Sequence, residues 1–165
     1  MTAPVRSTVT APGPVEQVLG VLTSASWVAR RAERFSDGST VVRREERPDG
    51  GLLLAVSREL PAGAPGFLSR LLPQDGKVLQ TDDWAPADGS GVRTGTWKVE
   101  IPGTPARLGG ALRLKPDGAG TAYVRTGEAK VSVPLVGGRA ETYIADMVSR
   151  LAAKEAELLH ELLTS

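Results

Sequence analysis

The dipeptide Asp-Gly recurs between apolar segments of this chain, at residues 37–38, 49–50, 75–76, 88–89 and 117–118. No other feature narrows the fold as much. Type I′ hairpin turns need positive φ at both central residues, which Gly adopts freely and Asp tolerates. Asp49-Gly50, Asp88-Gly89 and Asp117-Gly118 each separate two strand-like runs, and so predict three hairpins. Pro102-Gly103-Thr104-Pro105 makes a further connection, because proline cannot continue a central ladder. The chain reads as a β-meander.

Seven strands follow, over about 3–10, 39–47, 51–60, 77–84, 91–101, 106–115 and 120–133. Val5 and Val9 share a face of the first. Alternation is cleanest at Trp97, Val99 and Ile101 and at Leu108, Leu112 and Leu114, where Gly or charged residues stand between. That pattern belongs to a sheet buried on one face. In the last strand Tyr123, Arg125, Ala129, Val131 and Val133 share one face while Val124 takes the other, and a bulge near Thr126-Gly127 is the expected reconciliation.

Three segments carry helical spacing instead. Pro14 suits a first helical position and Glu16 favours the dipole, with Val15, Val18, Leu19 and Leu22 on one face. Thr23 or Ser24 can cap a short second helix through Arg34. The last helix, about Arg139 to Leu163, has an apolar stripe through Tyr143, Ile144, Met147, Val148, Leu151, Leu158, Leu159 and Leu162. At about 37 Å it is long enough to cross a whole sheet. Residues 61–74 interrupt the meander. Their prolines exclude a strand, while Phe67, Leu68, Leu71 and Leu72 fit a turn or two of helix, so a flap is expected between the third and fourth strands.

At 165 residues the chain amounts to about one domain, spanning residues 1–165. Hydrophobic residues make up 41%, charged residues 24%, and the net charge is +1. This balance excludes intrinsic disorder and nucleic-acid binding by bulk charge. The mixed signs of Arg43-Arg44-Glu45-Glu46-Arg47 nearly cancel, which points to a solvated strand. No apolar run approaches the ~20 residues of a membrane span, so no integral membrane insertion is expected. Met1-Thr2-Ala3-Pro4 lacks the regions of a signal peptide, and the expected location is cytoplasmic. Cysteine is absent, which removes disulfides and thiolate chemistry.

Catalytic signals are sparse. His160 is the only histidine and sits near the end of the last helix, where it reads as a cation favoured by the dipole. No Ser-His-Asp constellation forms around it, and one His without Cys predicts no metal site. The phosphate-loop pattern is missing; Gly109-Gly110 fits a turn or a close backbone approach. No cofactor is predicted. Asp82 and Asp83 point to opposite faces of a strand, which allows one of them to face the interior, but a solvated edge is the favoured reading; Glu128 and Lys130 read as a surface pair.

The element order is strand, two short helices, six meandering strands and a long helix. The final helix is the only element long enough to cover the apolar face. Aromatic residues make up only 4% and there are 19 glycines, a composition compatible with a hollow interior. In this order, and in local wording, the chain resembles the START-like superfamily, which includes the polyketide-cyclase and birch-pollen-allergen folds. More narrowly, it is similar to an actinobacterial domain of unknown function within that superfamily. The likeness is carried by Ala11-Pro12-Gly13-Pro14-Val15-Glu16-Gln17-Val18 with Leu22-Thr23, and by Leu60-Pro61 and Pro65-Gly66-Phe67. It continues through Gln80-Thr81-Asp82-Asp83-Trp84, Gly95-Thr96-Trp97 and Val133-Pro134-Leu135-Val136-Gly137-Gly138. It implies an α+β helix-grip fold: a curved seven-stranded antiparallel sheet, two short N-terminal helices, and a long C-terminal helix over a cavity. No reaction follows, because the superfold hosts binders, transporters, cyclases and co-chaperones.

Ligand pockets are mostly hydrophobic with a few fixed polar groups. Trp84, Trp97, Val99, Leu112, Tyr143 and Met147 converge if sheet and helix pack in this way, and Phe67 on the flap can close the entrance. The same residues would equally fill a solid core. The leading expectation is a non-catalytic carrier of a small hydrophobic molecule such as a lipid, isoprenoid or polyketide, oriented by Tyr143. A cyclase- or hydratase-type enzyme would draw on Tyr143, Asp82 and Glu128. A protein-interaction module, with a protein partner, would use the apolar flap around Phe67-Leu68 and Leu71-Leu72.

Overall fold

The computed structural model describes residues 2–59, 66 and 76–165. Among these residues the elements run β1 (Ala3–Pro12), α1 (Val15–Leu22), α2 (Ala25–Phe35), β2 (Thr40–Glu46), β3 (Leu52–Glu59) and β4 (Lys77–Trp84). β5 (Arg93–Glu100), β6 (Ala106–Asp117), β7 (Gly120–Val131) and α3 (Gly137–Thr164) complete them. The strands form one antiparallel, curved sheet in the order β1-β7-β6-β5-β4-β3-β2. The meander thus runs from β2 to β7, and β1 pairs with its last strand. The expected flap over 61–74, with Phe67, lies outside the described residues apart from Gly66.

The Asp-Gly sites do connect strands, but not as type I′ turns. Among the described residues only Ser36 and Leu135 have positive φ without being glycine, so none of the three aspartates takes the required conformation. At 47–50 the Gly50 N–H donates to the Arg47 carbonyl (3.0 Å) and Arg47 N–H to the Gly51 carbonyl (2.8 Å), with Gly50 at φ 93°. Pro48 precedes Asp49, and proline presets the second position of an ordinary type I turn; glycine then supplies the left-handed residue after it. Residues 88–91 repeat this arrangement, with Gly91 rather than Gly89 left-handed. Only Gly118 and Ala119 separate the paired residues Asp117 and Gly120, and positive φ at Gly118 alone is the pattern of a type II′ turn.

Two further expectations need correcting. Pro14 is the N-cap of α1 rather than its first helical residue: its ψ is 159°, and its carbonyl accepts from the Gln17 and Val18 N–H groups. β7 has no bulge near Thr126-Gly127, since its register with both neighbours is unbroken. Val124 simply faces away from the core, while Thr121, Tyr123, Arg125, Ala129 and Val131 are buried on the other face. Ser24 caps α2 as read, accepting from the Trp27 N–H at 3.1 Å.

Buried side chains of the sheet and of α1, α2 and α3 form one core. α1 contributes Val15, Val18, Leu19 and Leu22, and α2 contributes Trp27 and Val28. Far along α3, Leu158 and Leu159 are completely enclosed, each contributing about 1.5–3 kcal/mol of burial. α3 leans on β1 and β7, at one edge of the sheet. Its N-terminal part is pinned there by Glu141, whose carboxylate accepts from the Val131 N–H at 2.9 Å. Across the sheet, the Arg93 guanidinium grips both carboxylate oxygens of Glu16 (2.7 and 3.0 Å) and donates to the carbonyls of Gly50 and Ala85. This fixes α1 over two turns. Among the described residues no helix is long and apolar enough to cross a membrane.

Candidate functional site

Strand register brings side chains of like parity into rows under α3. One row runs Val56, Gln80, Val99, Leu108 and Ala129 from β3 to β7. The next is Leu54, Asp82, Trp97, Gly110 and Gly127, and the third is Leu52, Trp84, Gly95, Leu112 and Arg125. The two glycines of the middle row shape the site. A Cβ on Gly127 would lie 2.9 Å from the Trp97 ring and 2.2 Å from the Gly109 carbonyl oxygen, and one on Gly110 would lie 2.0 Å from the Thr126 carbonyl oxygen. With no Cβ at either position, the Trp97 indole reaches from β5 past β6 and donates Nε1–H to Thr126 O on β7 at 3.0 Å. Gly110 is thus a close backbone approach, one of the two readings its sequence allowed.

Between this floor and the first half of α3 lies a cavity of about 520 Å³. Val78, Trp97, Val99, Ile101 and Leu108 line it from the sheet. Tyr143, Ile144, Met147, Val148 and Leu151 line it from the helix. Met147, Val148 and Leu151 belong to the apolar stripe yet are only half-buried, as expected where a stripe faces open space. Further along α3 the lining turns polar, with Glu155 joined by Arg31, Arg58, Gln80 and Arg125. Arg34, Glu59, Lys154 and Glu157 are exposed at the rim.

The polar groups are unequally served. Arg31, 2% exposed, donates through Nε and Nη2 to Glu155 Oε1 (3.0 and 2.9 Å) and through Nη1 to Asp37. Asp37 in turn accepts from the Ser39 N–H and hydroxyl. Arg58 donates to the Gln80 side-chain carbonyl, and the Gln80 amide donates to Asp82 at 3.1 Å. Arg125, 8% exposed, donates to the Tyr123 hydroxyl at 3.1 Å and stacks over the Trp97 ring, 5.2 Å from its centroid. Nε of Arg58 and Nε of Arg125 are both buried without a hydrogen-bond partner.

Electrostatics follow from this crowding. Burial pushes the Arg58 guanidinium down to about 10, with Arg31 beside it acting in the same direction and Glu155, Asp82 and Asp37 opposing. Burial pushes the Tyr123 phenol up to about 12, so near neutrality it remains an uncharged acceptor for Arg125. Burial would raise Glu155, but Arg31, Arg125 and Arg58 together hold its carboxyl below the ordinary carboxylate range.

Of the residues singled out from sequence, Trp97, Val99, Tyr143 and Met147 come together on the cavity lining. Trp84 and Leu112 do not line it: each is 1% exposed in the row beyond, inside the packed core. Phe67 lies outside the described residues, as does the rest of the apolar flap apart from Gly66. Asp82 takes the inward option rather than the favoured solvated edge, because it shares the inward face with Gln80 and Trp84 and is half-buried. Glu128 is exposed on the opposite parity of β7 and takes no part in the cavity. Arg31, Asp37, Arg58, Gln80, Arg125 and Glu155 were missed as site residues. The signal was parity, since Arg58 continues Leu52, Leu54 and Val56, and Gln80 stands between Val78 and Trp84.

A curved antiparallel sheet gripping a long C-terminal helix, with two short helices after the first strand, is the helix-grip fold of START-like proteins. Solved structures share it. TTHA0849 from Thermus thermophilus is 17% identical with a TM-score of 0.65, over 99% of this chain and 100% of that one. A STAR-related lipid transfer protein from Xanthomonas axonopodis is 16% identical with a TM-score of 0.62, over 97% and 85%. The di-domain ARO/CYC StfQ from the steffimycin biosynthetic pathway is 14% identical with a TM-score of 0.61, over 99% of this chain and 50% of that one. At these identities the likeness is one of fold. The chain belongs to the family described as "Protein of unknown function (DUF2505)", whose model matches residues 6–163. No curated protein matches it in sequence.

Proposed function

We propose that this protein binds and carries a small, predominantly apolar molecule in the cavity between its sheet and α3. The observation that carries this reading is the roughly 520 Å³ of space left where an apolar sheet face meets an apolar helix stripe. Ligand sites of about 300–1,000 Å³ are typical for small molecules, and their walls are mostly hydrophobic with few polar groups. The contacts in this reading are Trp97, Val99, Tyr143 and Met147, backed from the core by Trp84 and Leu112. Similarity of fold to a lipid transfer protein and to an ARO/CYC protein favours an apolar cargo.

Native mass spectrometry of the gently purified protein tests the reading, together with quenching of Trp97 fluorescence by added lipids and aromatic polyketides. A reproducible extra mass, or saturable quenching that is lost on changing Trp97 to Phe, supports it. Bare chain mass with no binding at high micromolar probe overturns it. A second reading, a cyclase-type enzyme, is favoured by one observation: the Tyr143 side chain faces the cavity, where its hydroxyl could act as a proton donor. Unchanged turnover of an identified substrate in Tyr143→Phe would remove Tyr143 from that role.

A further inference from the structure

Two arginines at the polar end of the cavity are served differently from the third. Arg31 is closed by two carboxylates, Asp37 and Glu155. Among the described residues, Arg58 and Arg125 hydrogen-bond only uncharged groups, the Gln80 amide and the Tyr123 hydroxyl. Each guanidinium has five N–H donors. One is used in each case; the Nε–H of both is enclosed and unpartnered, and the donors left open for a ligand are on the second Nη nitrogen of each, Nη2 of Arg58 and Nη1 of Arg125. Leaving a buried donor unmade, more so one carried by a cation, is costly and is seldom kept without a use. Trp97 and Tyr123 flank the Arg125 guanidinium at 5.2 and 6.0 Å from their ring centroids, which holds its plane in place.

We infer that the molecule held in this cavity carries one carboxylate, seated on Arg58 and Arg125, at the end of an otherwise apolar body. The inference rests on the cavity being a ligand site. At the inner end of the lining, three guanidiniums (Arg31, Arg58, Arg125) stand against the carboxylates of Asp37 and Glu155, with that of Asp82 close behind; Arg31 takes both lining carboxylates, so among the described residues neither Arg58 nor Arg125 is hydrogen-bonded to an anion. Asp82 is kept off this lining behind Gln80, which occupies it with an amide hydrogen. A single carboxylate would give these two guanidiniums the anionic partner that Arg31 already has. Planar guanidiniums also match the planar geometry of a carboxylate. The body of the ligand would run back along Trp97, Val99 and Met147. Lipid-derived fatty acids and aromatic polyketide acids both fit that description.

Two acid–ester pairs separate charge from shape: dodecanoic acid with methyl dodecanoate, and 2-naphthoic acid with its methyl ester. Affinities are measured by Trp97 fluorescence on the unaltered protein, on Arg58→Met and on Arg125→Met. In at least one pair the acid is expected to bind about tenfold tighter than the ester or better, and either substitution should erase most of that ratio while leaving ester affinity in place. Equal affinity of acid and ester in both pairs, or an acid preference that survives both substitutions, overturns the inference and leaves the apolar-cargo reading standing. If no member of either pair binds and native mass spectrometry shows the bare chain, both fall together. Thermal unfolding confirms that each variant is folded; should one not fold, the acid–ester ratio of the unaltered protein decides alone.

Discussion

The two halves of the interface between sheet and α3 are built from the same elements and do opposite things. In the closed half, Trp84, Leu112, Leu114, Leu158 and Leu159 are shut away from solvent and form part of one core with α1 and α2. In the open half, the same helix stripe continues through Met147, Val148 and Leu151, but it meets empty space and a cluster of charges. Local rules hold in the first and break in the second, where inward strand positions carry Arg58, Gln80, Asp82 and Arg125. Such departures are expected where a protein gives up stability for function.

The largest effect should come from the charge cluster. Changing Glu155 to Gln removes the carboxylate that Arg31 grips and leaves three guanidiniums against Asp37 and Asp82; a cost of about 4 kcal/mol is expected in chemical denaturation at pH 7. The pH dependence has a definite sign. Glu155 is held below its ordinary value in the fold. Its contribution is therefore fully present above the unfolded carboxylate value of about 4.3 and is lost as pH falls through the lower folded value. The gap between native and variant should shrink steadily in acid. A constant gap from pH 7 to strongly acid conditions would show that Glu155 acts by packing rather than by charge.

Leu112→Ala measures the closed half. Leu112 is 1% exposed and enclosed on all sides, so a loss of about 3 kcal/mol is expected, with acid and ester affinities in the cavity nearly unchanged. A large change in affinity would mean that the two halves are mechanically coupled.

The closed half was largely legible in the sequence because it obeys periodicity. Asp-Gly and Pro-Gly punctuation separated the strands, and the spacing of Leu158 and Leu159 on α3 put them in the core. Turn type was not legible, because Asp-Gly suits several turns and the deciding residues, Pro48 and Gly91, lie outside the dipeptide. The open half was legible only in part. Trp97, Val99, Tyr143 and Met147 announce themselves as apolar, but a cavity and a filled core share one apolar pattern. Arg58 and Gln80 could be found only by trusting strand parity over residue type, since a charged residue at a strand end normally reads as solvated.

Arg58→Met should act in the reverse direction. Burial holds the Arg58 guanidinium down near 10, against an ordinary 12.5. The folded state gives up that proton before the unfolded one, so the charge costs stability at pH 7 and the cost is relieved as pH rises from about 10 toward 12.5. Replacing it with an apolar side chain of similar length should raise the denaturation midpoint, corresponding to about 1 kcal/mol, while acid binding is lost. A lower midpoint would show that the Arg58–Gln80 hydrogen bond outweighs the buried charge.

The smallest effect is expected at Met147, and it bears most directly on the contrast between the halves. Truncating a buried methionine to alanine ordinarily costs about 2–5 kcal/mol, because the removed atoms leave a void among tightly packed neighbours. Met147 is half-buried and faces the cavity, so part of its surface already borders open space. Met147→Ala should therefore cost less than about 1 kcal/mol in protein stripped of ligand. With dodecanoic acid present the difference from the unaltered protein should widen, since a weaker hold on the ligand also lowers the stabilisation that binding confers. If the stripped variant instead fell as far as Leu112→Ala, the chain in solution would have closed its side chains over the space, and the open half would be a core like the other.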